Sequence, residues 1–193
     1  MEEPTVLGVA DTLGISMLHP KRAGRSTKQV GRFGISNRVW LVGGKLGVVL
    51  NKWGLVCAWD CATANVYDTH FHPLIERFRE EMVVLADHGF YSAKGSEGYG
   101  KRRRKEWAEP NSSNPQNMKI CRRGEWNDRM VVETFFSMLT TVFHLKKVGH
   151  RVWNYFQTRL GFAMALFNLL AQWSGLSFDQ HGRVHLSVAQ FSF

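Results

Sequence analysis

Apolar residues fall into several distinct kinds of run along this chain. Residues 5–10 and 82–86 are short and almost continuously apolar, and each is closed by an aspartate, Asp11 and Asp87. Such runs are strand-like, so each carboxylate is expected to emerge at the edge of a sheet rather than inside it. Residues 39–50 form a longer β-rich run, followed by Asn51-Lys52-Trp53-Gly54 and a second apolar run from residue 55 to about 58. Gly54 can take the left-handed conformation that closes a short loop, so the two runs predict an antiparallel hairpin. Phe71, Leu74, Ile75 and Phe78 recur at helical spacing. They predict a helix over 70–81, with Asp68 as a cap accepting a bond from an orphan amide. Val132, Phe135, Leu139 and Val142 predict a second amphipathic helix, and residues 118–121 hint at one further strand.

Residues 160–178 carry no charge but include Gly161, Asn168, Gln172, Ser174 and Gly175. Together with the flank from Trp153 they predict a central packed helix, apolar on nearly all sides, and not a membrane span. Between 88 and 128 periodicity is lost, with Gly95, Gly98, Gly100, Pro110 and Pro115 as breakers. The order strand with Asp, hairpin, helix, strand with Asp, helix is that of an α/β layer protein with a mixed sheet flanked by helices. Ligands in such sheets gather beyond strand ends. One domain over 1–175 is expected, with a basic, loop-rich insertion at about 92–124 and a tail over 176–193.

Hydrophobic content of 44% with 12% aromatics argues against global disorder. The net charge of +9 points towards a polyanionic partner. Part of that charge is local: between Lys94 and Arg123 there are nine Lys or Arg against three Glu. Cys57, Cys61 and Cys121 form an odd set without a CxxC pair, which fits reduced thiols. Cys57 and Cys61 are expected as two core thiols on one strand face rather than as zinc ligands with His70 and His72. The N-terminal Met-Glu-Glu-Pro lacks the segments of a signal peptide.

A third acid joins the two aspartates. At about 100° per residue, Glu133 falls beside Arg129 and away from the stripe of Val132, Phe135 and Leu139. Taken alone this is an ordinary surface pair at i and i+4. With Asp11 and Asp87 at strand ends it completes a carboxylate trio, and such a trio suits hard cations. Mg²⁺ prefers oxygen ligands, and two such ions roughly 3.5–4 Å apart can hold both the attacking and the leaving oxygens of a phosphodiester exchange.

Several segments in order carry a resemblance: Ala10-Asp11-Thr12, Gly43-Gly44-Lys45-Leu46, Ala64-Asn65-Val66-Tyr67-Asp68, Ala86-Asp87-His88-Gly89-Phe90-Tyr91, Asn117-Met118-Lys119 and Arg129-Met130-Val131-Val132-Glu133-Thr134-Phe135-Phe136-Ser137. The chain resembles the catalytic domain of a DDE transposase from a bacterial insertion sequence. The resemblance implies an RNase H-like mixed β-sheet flanked by helices, and catalysis by Asp11, Asp87 and Glu133 holding two Mg²⁺ or Mn²⁺ ions. It implies that water cleaves at the transposon end and that the freed 3′-hydroxyl attacks target DNA.

Arg129 resembles the family's signature arginine, expected to contact DNA phosphate or to orient Glu133. Lys45, Arg102, Arg103, Arg104 and Lys119 are further expected contacts to the DNA backbone. In the related Tyr-x2-Arg-x3-Glu-x6-Lys signature, Trp126 and Thr140 stand where tyrosine and lysine do. Expected partners are transposon-end and target DNA, with a second copy or a full-length transposase besides, in the cytoplasm of a bacterium and associated with its nucleoid. No DNA-reading region stands upstream of Asp11, so a truncated product with largely nonspecific DNA affinity is expected. The same residues also suit an RNase H-like nuclease or a catalytically silent DNA-binding protein.

Overall fold

The structure, a computed structural model, describes residues 7–36, 38–92, 114–121 and 126–173, with only the backbone of 126–129. The expected basic insertion lies outside the described residues except for its two ends, and the tail over 176–193 lies wholly outside them. The chain is mixed α/β. Six strands, β1 (Leu7–Leu18), β2 (Arg32–Ser36), β3 (Val39–Asn51), β4 (Val56–Thr63), β5 (Val83–Ala86) and β6 (Met118–Ile120), form one curled sheet in the order β2-β3-β1-β5-β6, with β4 also on β3. Among the described residues three α-helices flank it: α1 (His72–Glu76), α2 (Trp126–Thr141) and α3 (Trp153–Trp173).

Alternation along the central strands builds two cores, because successive side chains leave opposite faces of a strand. Val9, Val48 and Leu50 pack on one face against Phe135 and Leu139 of α2 and Phe156 and Phe167 of α3. Ala10 and Val49 pack on the other against Phe71, Ile75 and Phe90. Short β5 pairs in parallel with β1 on one side and β6 on the other, which accounts for its uninterrupted apolar sequence. The β3–β4 hairpin forms as expected, with Gly54 at φ 75°. The strand hinted at residues 118–121 appears as β6.

Four local expectations need correction. The first strand does not stop at Asp11; it runs on to Leu18 because β3 pairs with it from Gly8 to Leu18. The helix expected over 70–81 is a 3-10 turn, Asp68–Phe71, followed by only five α-helical residues. Beyond Glu76 the amides of Phe78, Arg79 and Glu81 bond three residues back, so the chain continues as tight turns.

Cys57 is exposed and only Cys61 is buried. The β3–β4 register slips between Val49 and Leu50, whose partners are Ala58 and Val56. Cys57 is therefore the extra residue of a bulge, and the bulge turns it off the face it would otherwise share with Cys61.

The fourth correction concerns α3, which is not enclosed on all sides among the described residues. Phe156, Leu160, Ala163, Met164, Phe167 and Ala171 are buried, whereas Tyr155, Phe162, Leu166, Leu169 and Trp173 are exposed. Its Asn168 is used rather than merely tolerated: the side chain accepts from the Val56 amide and donates to the Val56 carbonyl, both at 2.9 Å, and so docks the helix on β4. No helix of the described residues is long and apolar enough to cross a membrane.

Candidate active site

A difference in strand length opens the site. On the edge facing β5, β1 pairs only through Leu7, Gly8 and Val9, with Val83, Val84 and Leu85. The same edge is met again at Ser16, whose amide donates to the Lys146 carbonyl at 3.1 Å and whose carbonyl accepts from the Val148 amide at 2.8 Å. Between those two closures lies a cavity of about 420 Å³, lined by residues including Asp11, Thr12, Lys45, Asp68, Asp87 and Glu133.

Asp11 lies two residues beyond the last β1–β5 pair, Val9↔Leu85, and Asp87 lies two residues beyond it on the other chain segment. Neighbouring strands lie about 4.8 Å apart, and aligned residues of parallel strands leave the same face. Asp11 is thus at a boundary of the sheet although it is inside its own strand: the neighbour ends, not β1. Its Oδ1 accepts from the Thr12 amide at 2.7 Å. Asp87 follows β5 directly and caps the 3-10 turn His88–Phe90, its Oδ1 accepting from the His88 amide at 2.6 Å.

Glu133 reaches the cavity from α2. Val132, Phe135, Met138 and Leu139 are fully or almost fully buried on the helix's inner face, and this fixes its rotation. Glu133 itself is exposed, on the opposite side as its helical phase requires, and it lines the cavity with Phe136. Asp11 shares a face with Val9, Leu13 and Ile15, the residues that pack in the core beneath α2 and α3, so aspartate and glutamate look onto the same side of the sheet. The three acids share one cavity, yet among the described residues no three His, Cys, Asp or Glu side chains stand grouped to hold a metal ion.

The other side of the cavity carries an ion pair that sequence reasoning missed. Lys45 is buried, and its Nζ donates to the Val66 carbonyl at 2.7 Å and to Asp68 Oδ1 at 3.0 Å. Asp68 Oδ1 also accepts from the Thr12 hydroxyl at 2.9 Å. Asp68 is therefore not the expected helix cap. It is the first residue of the 3-10 turn, whose N-cap position is occupied by Tyr67, which makes no side-chain capping bond. Lys45, expected at the DNA backbone, stands in the cavity wall rather than on an outer surface. The one signal available was a lone lysine in an otherwise apolar and glycine-rich strand, where a buried cation calls for an anionic partner.

The remaining expected residues are dispersed or outside the description. Lys119 is exposed on the edge strand β6, opposite Leu85. Arg129 belongs to the backbone of α2, and its side chain lies outside the described residues, as do Arg102, Arg103 and Arg104 entirely. Both described strand thiols are held protonated, Cys57 by partial burial and Cys61 more strongly, pushed up to about 11 by burial despite a bond from Gln157.

No protein-family model, curated protein or solved structure matches the chain.

Proposed function

We infer that the protein is a DDE-type DNA transposase of the bacterial insertion-sequence kind, with an RNase H-like sheet. On this reading it cleaves and joins phosphodiesters with the help of divalent cations. The observation that carries the reading is that Asp11 of β1, Asp87 directly after β5 and Glu133 of α2 line one cavity. Three carboxylates drawn from two adjacent strands and a packed helix offer hard oxygen donors, the set that Mg²⁺ or Mn²⁺ prefers.

Such ions, when bound, stabilise negative charge developing on the reacting phosphoryl oxygens. Asp11 sits within β1 and Asp87 directly after β5, while Glu133 has a longer side chain on the helix surface and would swing inward to complete the ligand set. The Asp68 carboxylate is held by Lys45 and Thr12 and on this reading shapes the wall. Lys119, Arg129 and the 102–104 arginines would supply phosphate contacts that hold DNA across the opening.

The test is a supercoiled-plasmid assay with the purified chain in Mg²⁺ or Mn²⁺, with Asp11→Ala, Asp87→Ala and Glu133→Ala as controls. Cleavage lost in all three, together with strand-joined products, is the expected result. Cleavage without joining would reduce the protein to a hydrolytic nuclease. Salt-sensitive DNA binding with no cleavage would reduce it to a DNA-binding protein.

A further inference from the structure

Between Asp11 and Asp60 the chain contains eight Lys or Arg and not one Asp or Glu. Six of those cations, Lys21, Arg22, Arg25, Lys28, Arg32 and Arg38, fall between His19 and Trp40, and all six are exposed. None of them is ion-paired among the described residues. This stretch leads into and includes the β2–β3 hairpin. Arg38 stands at the hairpin tip with φ 62°, a left-handed conformation that glycine or asparagine adopts more easily. A cation is kept there at some conformational cost.

The hairpin also presents rings to solvent. Ile35 pairs directly with Trp40, and Phe33 lies two residues before Ile35, so all three leave the same face. Phe33, Ile35 and Trp40 are 46%, 49% and 56% exposed, and the Phe33 and Trp40 rings lie 5.0 Å apart at 32°. Ile35 also lines the cavity of the carboxylates, so the ring face borders the candidate active site. Exposed rings gain by covering their faces, and the acid-free charge around them selects a polyanion. A polyanion with flat apolar groups is a nucleic acid with unpaired bases, whose bases stack on aromatic rings while cations track the backbone.

We propose that the β2–β3 hairpin is a single-strand nucleic-acid platform: Phe33 and Trp40 stack unpaired bases, and the cations of residues 21–38 hold the flanking phosphates beside the cavity. This rests on the phosphodiester reading of that cavity and adds to it the form of the substrate, a strand that is unpaired next to the reacting bond.

The experiment measures binding of a labelled 20-nucleotide oligothymidylate and of a duplex of the same length, by anisotropy across a salt series in EDTA, with no cleavage in play. Phe33→Ala with Trp40→Ala should weaken the single-strand complex at least fivefold, with the salt slope unchanged, since a stacked base contributes that much or more. Trp40→Phe should keep most of the affinity because a ring remains. Arg22→Gln, Arg25→Gln and Arg32→Gln together should instead flatten the salt slope, by about 0.7 for each phosphate that is no longer neutralised.

Wild-type affinity in the double alanine variant would overturn the platform, as would a shift in its oligomeric state by light scattering, which would make the ring face an interface between copies. The two readings fail separately. Ring-dependent binding without cleavage in Mg²⁺ leaves the platform and sinks the catalysis; cleavage with ring-independent binding does the reverse.

Discussion

The two faces of the sheet meet at one cavity and treat charge in opposite ways. On the α1 face, Lys45, Asp68, Thr12 and the Val66 carbonyl satisfy one another within 2.7–3.0 Å. On the α2 face, Asp11, Asp87 and Glu133 collect charge of a single sign around the same opening. Lys45 and Asp68 are fixed by partners inside the wall, whereas Asp11 and Asp87 are half-buried and Glu133 is exposed at the opening. The contrast separates an acid that is part of the wall from acids at the cavity's opening, although all four are carboxylates within one cavity.

The largest effect that could break this contrast is on turnover. Asp87→Ala, or Glu133→Gln with its shape kept, should lower DNA cleavage by at least ~10²-fold, the scale of losing one preorganised charge-stabilising group. Thermal unfolding should barely move in Glu133→Gln, because the change keeps the side chain's shape at an exposed position, whereas Asp87→Ala also loses its bond to the His88 amide, a cost of about 1 kcal/mol. A comparable loss of melting temperature would mean that these acids are structural and that the two faces do not differ.

Lys45→Met should show the reverse signature. It strands Asp68, whose side chain is only 26% exposed, and leaves the Val66 carbonyl without its donor, at a cost of about 1–3 kcal/mol. That is a fall of several degrees in melting temperature for a chain of this size. The double variant Lys45→Met/Asp68→Asn should recover part of it, since the uncompensated charge is then gone; no recovery would show that the pair is not coupled.

Gly47→Ala sharpens the comparison on the α1 face without touching charge. A Cβ at Gly47 would stand 2.4 Å from the Phe71 ring, and overpacking of that kind costs about 1–3 kcal/mol. Calorimetry should report that loss.

The smallest effect concerns the thiols. Alkylation of the native protein followed by peptide mass mapping should label Cys57 readily and Cys61 only after unfolding. Because Cys61 is raised from 9.0 to about 11 on folding, its stabilising contribution is complete below pH 9 and is lost as pH rises towards 11. Cys61→Ala should therefore flatten the fall in stability over that window, and an unchanged fall would show that the thiol stays neutral for another reason.

Much of the arrangement was legible because it depends on short-range periodicity. The β3–β4 hairpin, the apolar strand β5 and the buried stripe of α2 follow from alternation, a continuous apolar run and 3.6-residue spacing respectively. Glu133 could be placed on the helix surface for the same reason. What could not be read was anything set by a neighbour. β2 was hidden because its residues lie among cations and glycines and, among the described residues, pair only through β3. The bulge at Cys57 depends on the register of a partner strand, which leaves no local trace.

By itself the sequence determined the β3–β4 hairpin, the apolar strand β5 with Asp87 directly after it, and the side of the second helix on which Glu133 lies, since these depend on which residues follow one another. Tertiary structure decided the rest. That Asp11 and Asp87 line one cavity depends on where β5 stops beside a longer β1. That Lys45 is buried, and that Asp68 is its counter-ion rather than a cap, depends on two segments 23 residues apart meeting across the sheet. A carboxylate's role depends on which charge stands within a few ångströms of it, and only the folded chain sets that distance.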